Sequence, residues 1–170
     1  QQSEPGHAAP QAASDGFHRD YTLGGVLGAG AFGSVHLARR VKDGRDVAVK
    51  LISLEVDEAD ARRCRIVDKR RQRAVQMEVA FLRMLPRSPK VVRFHDAYVC
   101  ARQAYFVMER CGMRLLNFLE SLPMLTEASL KPVFEDMLTG IAVCHAKGIV
   151  HRDIKCDNFL VSRRRSARGG

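Results

Sequence analysis

No stretch of the 170-residue chain approaches 18 consecutive apolar residues, which excludes a membrane-spanning helix. The opening residues, QQSEPGHAAPQAASDG, lack both a basic start and an apolar centre, so they do not read as a secretory signal. Cysteine is sparse: the five, at 64, 100, 111, 144 and 156, are odd in number and form no C-x-x-C pair. That argues against a disulfide framework and against a zinc site. A reducing, intracellular, cytoplasmic setting is the expectation. Acidic residues are fewer than basic ones, 19 against 28, for a net charge of +9. Apolar residues make up 46% and charged residues 28%, the balance of a folded globular chain.

The excess charge is local. Arg62, Arg63, Arg65, Lys69, Arg70, Arg71 and Arg73 form one basic run, interrupted only by Asp68. Arg163, Arg164, Arg165 and Arg168 form a second. Outside these two segments the chain is close to neutral. Basic runs of this kind can engage nucleic acid or anionic lipid. No aromatic residues are interleaved with the arginines, so a solvated helix face and a solvated loop are favoured over that reading.

Residues 1–16 are rich in Gln, Ala, Ser, Pro and Gly and are expected to form a disordered tail. From Phe17 the texture changes. Tyr21–Leu27, the alternating Ser34–Ala38 and the β-branched Asp46–Leu54 predict three strands, joined by short turns into an antiparallel meander. Helical texture follows over 55–85, with Val75, Val79 and Leu82 on one face and Met77, Phe81 and Leu85 beside it. Pro86 and Pro89 end that helix. Val91–Val99 and Ala104–Glu109 predict two more strands, and 113–121 a short helix. Thr126 is a suitable N-cap for a long helix, with Leu130, Val133, Phe134, Met137, Leu138, Ile141 and Cys144 recurring every three or four residues. Pro132 costs that helix some regularity, and Gly148 closes it. The predicted class is α+β: a five-stranded antiparallel sheet with one main helix, then the helical start of a second lobe.

Three motifs carry chemistry. Gly28-Ala29-Gly30-Ala31-Phe32-Gly33-Ser34-Val35 is G-x-G-x-x-G-x-V, in which glycines let backbone N–H groups approach phosphate oxygens. A dinucleotide-binding turn uses similar spacing but opens a helix. Here a strand follows, so the loop is a flap between antiparallel strands. Seventeen residues past Gly33, Val47-Ala48-Val49-Lys50 puts a lysine in an apolar strand. Either it faces solvent, or it is a phosphate-binding cation steadied by a helix carboxylate; Glu78, the lone acid in the apolar part of the helix, is the candidate. Last comes His151-Arg152-Asp153-Ile154-Lys155-Cys156-Asp157-Asn158. Asp153 can orient an attacking hydroxyl and accept its proton, Lys155 can reach a transferring phosphoryl group, and Asn158 offers an amide oxygen to Mg²⁺.

With these motifs in this order, residues 20–161 resemble the eukaryotic protein kinase family. Lys155 resembles the serine/threonine type, and the body resembles the calcium/calmodulin-dependent kinase-like group. The resemblance implies a kinase N-lobe and hinge over 17–111, the start of the C-lobe over 112–170, ATP and Mg²⁺ as cofactors, and protein substrates with Ser or Thr acceptors. It implies that Lys50, Glu78, Asp153 and Lys155 are catalytic and that Asn158 holds the metal. It also implies that Leu27, the loop from Gly28 to Val35, Ala48, Met108, Glu109 and Cys111 bind the nucleotide. Met108 would be the gatekeeper, and the backbones of Glu109 and Cys111 would meet adenine. Two departures stand out. The basic 62–73 segment lengthens the interval between Lys50 and Glu78. No Asp-Phe-Gly or Ala-Pro-Glu occurs among the 170 residues. The expectation is therefore a partial catalytic domain, inactive alone, whose 127–147 helix has apolar faces without partners. A non-catalytic ATP-binding or scaffold module is the alternative.

Overall fold

The computed structural model describes residues 16–30, 33–55, 68–100 and 102–162. Of the predicted tail over 1–16, residues 1–15 lie outside them, as do the basic residues 62–65 and 163–168, while Gly16 opens a short helix instead.

Strand alternation builds the centre. β1 (Tyr21–Gly30), β2 (Gly33–Arg40), β3 (Asp46–Ser53), β4 (Phe94–Val99) and β5 (Gln103–Glu109) form one antiparallel sheet in the order β1-β2-β3-β5-β4. Val47 and Val49 point to one face, where they pack with Phe17, Tyr21, Ala38, Tyr105 and Val107. A short helix that the sequence did not predict, α1 (Gly16–Asp20), delivers Phe17 to this face. Its ring is fully buried and stacks on Tyr105 at 4.3 Å. Burying such a side chain stabilises the fold by roughly 1.5–3 kcal/mol.

The opposite face is covered by α2 (Lys69–Met84), whose Val75 and Val79 meet Leu54, Ala104 and Phe106. Leu82 packs against the same cluster, as its spacing predicts. Met77 and Phe81 do not join it: they are 58% and 45% exposed, because they stand on the flank that turns away from the sheet. Asp68 caps the helix, accepting from the backbone N–H groups of Arg70 and Arg71.

The expected strand over 91–99 begins only at Phe94, since the turn before it packs on the next lobe. There the carbonyl of Lys90 lies against Gly140, and the Lys90 ammonium pairs with Asp136. Met113–Arg114 is a two-residue strand, β6, rather than the predicted start of a helix; α3 runs over Leu115–Glu120. α4 (Glu127–His145) starts at the expected Thr126 in a reciprocal capping box with Ser129 and continues through Pro132. Gly148 follows at φ +68°, a left-handed turn suited to glycine. Of the periodic apolar positions, Val133 is buried while Phe134 and Leu138 are 55% and 63% exposed. β7 (Leu160–Val161) pairs with β6 and anchors the segment before it.

Candidate active site

The glycine segment joins β1 to β2 in the register Gly28–Val35, Ala29–Ser34, Gly30–Gly33, so the motif is a flap between strands, as expected. Ala31 and Phe32 lie outside the described residues. Gly33 has φ +119°, and a Cβ there would stand 2.0 Å from the Leu51 carbonyl oxygen. Only glycine meets both demands. Ser34 Oγ lies 2.9 Å from His36 Nε2, and Leu27 is half exposed at the edge of the flap.

Ala48 and Lys50 occupy the face of β3 opposite Val47 and Val49, the face shared with α2. Ala48 is flanked by Leu37 on β2 and Met108 on β5; Lys50 by Val35 and Phe106. Lys50 Nζ donates to Glu78 Oε1 at 2.9 Å and lies 5.8 Å from the Phe106 ring centroid. The lysine in the apolar strand and the lone acid of the helix are therefore ion-paired. The sheet positions one partner, and the burial of Val75 and Val79 positions the other.

At the end of β5, the Glu109 backbone N–H donates to Arg93 O at 2.9 Å. Arg110 pairs with Asp46 at 2.6 Å, tying this connection to β3. Cys111 is partly buried, and burial, reinforced by the Glu109 charge, pushes its thiol up to about 11. It is a neutral thiol, not a nucleophile. Behind Met108 lies a cavity of about 630 Å³ that includes Leu82, Cys111, Val133, Ile141 and Phe159 in its wall. Glu109, His151 and Asn158 also line it, whereas Leu27, Val35, Ala48 and Lys50 do not.

The segment from His151 to Asn158 is compact. Asp153 N–H donates to His151 Nδ1 at 3.3 Å, and Arg152 adopts φ +64°, uncommon for a side chain of its size. Lys155 Nζ sits 3.0 Å from Asp153 Oδ2. Asn158 Nδ2 donates to the Asp153 carbonyl at 2.7 Å and to Oδ2 at 3.0 Å. The Lys155 contact, then the Asn158 contact, holds the Asp153 carboxyl below the usual range. Both contacts fall on Oδ2. With its Nδ2 committed, Asn158 keeps its amide oxygen for another partner. Among the described residues no group of three or more His, Cys, Asp or Glu is gathered as a metal cage.

Sequence reasoning did not single out Arg114. A Cβ on Gly28 would stand 3.4 Å from its Nη2, so the side chain spans from β6 to the underside of the flap. No sequence motif signals this approach, which joins two segments far apart along the chain.

The residues from 21 to 168 match the model of the protein kinase domain family. The chain is 34% identical over 164 residues to calcium-dependent protein kinase 24 of Arabidopsis thaliana, covering 93% of this chain and 26% of that protein. It is 36% identical over 152 residues to CBL-interacting protein kinase 20 of Oryza sativa subsp. japonica, covering 88% of this chain and 31% of that one. With serine/threonine-protein kinase pim-2 of Danio rerio it shares 31% identity over 159 residues, 87% of this chain and 49% of the relative. The chain thus spans less than a third of the two plant relatives. A glycine turn between strands, a lysine paired with a helix glutamate and an Asp-Lys-Asn cluster agree with these matches: the chain belongs to the protein kinase family, of the serine/threonine type.

Proposed function

We propose that this chain holds the ATP-binding lobe and catalytic loop of an enzyme that transfers the γ-phosphoryl group of MgATP to Ser or Thr hydroxyls of proteins, inside the cell and in the cytoplasm. The observation that carries the reading is the convergence of Lys155 and Asn158 on Asp153 Oδ2. In this reading the backbones of Glu109 and Cys111 hold adenine, with Leu27, Val35 and Ala48 packed on its faces and Met108 at its inner edge. The flap from Gly28 to Ser34 covers the phosphates. Lys50, steadied by Glu78, holds the phosphate oxygens. Asp153 is ionised at neutral pH, and its Oδ1, not engaged by Lys155 or Asn158, orients the acceptor hydroxyl and takes its proton. Lys155 offsets charge on the phosphoryl group in transit.

The Asn158 amide oxygen is a hard donor of the kind Mg²⁺ prefers, and that ion retains waters and substrate phosphates as its other ligands. When bound there, such an ion would supply positive charge against the phosphates. A single neutral amide is a poor anchor, so the 170 residues alone are expected to transfer phosphate negligibly. A second reading, an ATP-binding module without transfer, draws on the exposure of the apolar Phe134 and Leu138 on α4.

The test measures γ-phosphate transfer from ATP to a general Ser/Thr substrate. It compares the 170-residue chain with a longer chain continuing it through Asp-Phe-Gly and Ala-Pro-Glu segments. The longer chain should be active, and Asp153→Asn should lower its rate by about 10²–10⁴-fold. An unaffected Asp153→Asn variant overturns the role given to Asp153. Robust transfer by the short chain overturns the metal reasoning and directs attention to Asp157.

A further inference from the structure

We propose that Arg114 is a specificity-determining cation of the nucleotide cleft: from beneath Gly28 its guanidinium binds phosphate oxygens, so that phosphorylated nucleosides are preferred over the bare nucleoside. This rests on the reading of the cleft as an ATP site.

The backbone of Arg114 is firmly held. It pairs with Leu160 across the β6–β7 ribbon, and the next residue, Leu115, is buried and donates its N–H to Phe159 O at 2.9 Å. Phe159 directly follows Asn158, so Arg114 is registered against the catalytic loop. From there Nη2 reaches to within 3.4 Å of the place a Cβ would take on Gly28, opposite Val35 in the flap. A Cβ at residue 28 would meet Nη2 at ordinary contact distance, so the guanidinium lies alongside this glycine.

The charge balance of the cleft gives the position its meaning. Lys50 is paired with Glu78 and Lys155 with Asp153. No ion pair or hydrogen bond engages the Arg114 side chain among the described residues. A guanidinium has five donors, no acceptor and a permanent charge. Here it lies beneath a loop whose backbone suits anions. Ribose hydroxyls accept hydrogen bonds too, but only a phosphate brings a full opposite charge and paired oxygens that match the guanidinium fork. The ligand that completes the site is therefore a phosphate group close to the sugar, which ADP and ATP share.

The experiment measures the affinity of the 170-residue chain for adenosine, ADP and ATP by calorimetry. It compares the unaltered chain with Arg114→Gln and Arg114→Lys, each checked for folding by circular dichroism. Arg114→Gln should weaken ADP and ATP by about tenfold, equivalent to about 1.4 kcal/mol, and leave adenosine unchanged. Arg114→Lys should fall between, keeping a point charge but losing the planar fork. The preference for ATP over adenosine should shrink with added salt in the unaltered chain and less so in Arg114→Gln. Equal losses for adenosine and ATP would make Arg114 a merely structural support and overturn the proposal. Unchanged or tighter ATP binding by Arg114→Gln would make it a bystander or a plug, and would also overturn it. If the unaltered chain binds neither adenosine nor ATP, the ATP reading itself fails, a result distinct from any effect of residue 114.

Discussion

Lys50 and Ala48 share one face of β3 while Val47 and Val49 share the other, and that two-residue period separates the chemistry of the strand from its core. Glu78 was legible as the partner of Lys50 because an acid in an apolar stretch of helix needs a reason to be there. Arg114 was not legible, because its significance is a distance to Gly28 and no spacing along the chain encodes it. Gly33 was legible only in part: the motif names the glycine, but the Leu51 carbonyl that forbids a Cβ comes from a neighbouring strand. The turn residue Asp43 permits a pH prediction. The Arg40 guanidinium, bound at 2.6 Å, and a further bond from the Arg45 backbone lower its carboxyl to about 2 from 3.8. Because the folded value is depressed, the stabilisation is fully present above 3.8 and is lost as pH falls toward 2. Thermal melts across that window should show a smaller acid-induced fall in melting temperature for Asp43→Asn than for the unaltered chain; identical falls would show that the contact contributes nothing.

At the scale of elements, helices were recognisable but their starts and surroundings were not equally so. Asp68 reads in the sequence as the one interruption of a basic run; in the structure it is the N-cap of α2. The α4 cap at Thr126 was legible because its side chain precedes the apolar period directly. Phe134 and Leu138 follow that period yet stay exposed, since periodicity reports a face and not what covers it. The sequence also gives no hint that Gly140 abuts the Lys90 carbonyl, where a Cβ would stand at 2.6 Å. Gly140→Ala should therefore be destabilising despite a better helix former: about 1 kcal/mol gained in propensity is set against an overpacking cost of about 1–3 kcal/mol. The Lys90–Asp136 pair holds the turn in place and limits its retreat. The obstacle is a backbone carbonyl, so the cost falls in the upper part of that range, about 2–3 kcal/mol, and urea unfolding should give a net loss of about 1–2 kcal/mol; equal or higher stability would show that the turn moves aside freely.

For the whole molecule, the net charge of +9 misleads if it is spread evenly over the surface. The basic residues 62–73 precede and open α2, and none of them belongs to the glycine, lysine or catalytic-loop motifs. Arg70 and Arg73 are exposed, while Arg71 donates to the Glu55 carbonyl. Replacing Arg62, Arg63, Arg65, Arg70, Arg71 and Arg73 by Gln should leave ATP affinity within about twofold, a few tenths of a kcal/mol. The same change should weaken retention on heparin and flatten its salt dependence. A loss of ATP affinity of more than about tenfold, or 1.4 kcal/mol, would show that this segment reaches the nucleotide site.

The sequence by itself determined the order of the main strands and helices, the flap, the lysine strand and the segment from His151 to Asn158. These are local patterns, set by a period of two, a period near 3.6, capping chemistry and glycine. The tertiary structure decided how side chains meet: the sequence pointed to Glu78 as the partner of Lys50, but not to the packing that joins them. Lys50 reaches Glu78 across 28 positions because α2 lies on the face of β3 that carries the lysine. Phe17 stacks on Tyr105, and Arg114 comes under Gly28, for the same kind of reason. Contacts between distant segments depend on how faces are buried against one another, and a face finds its partner only when the chain has folded.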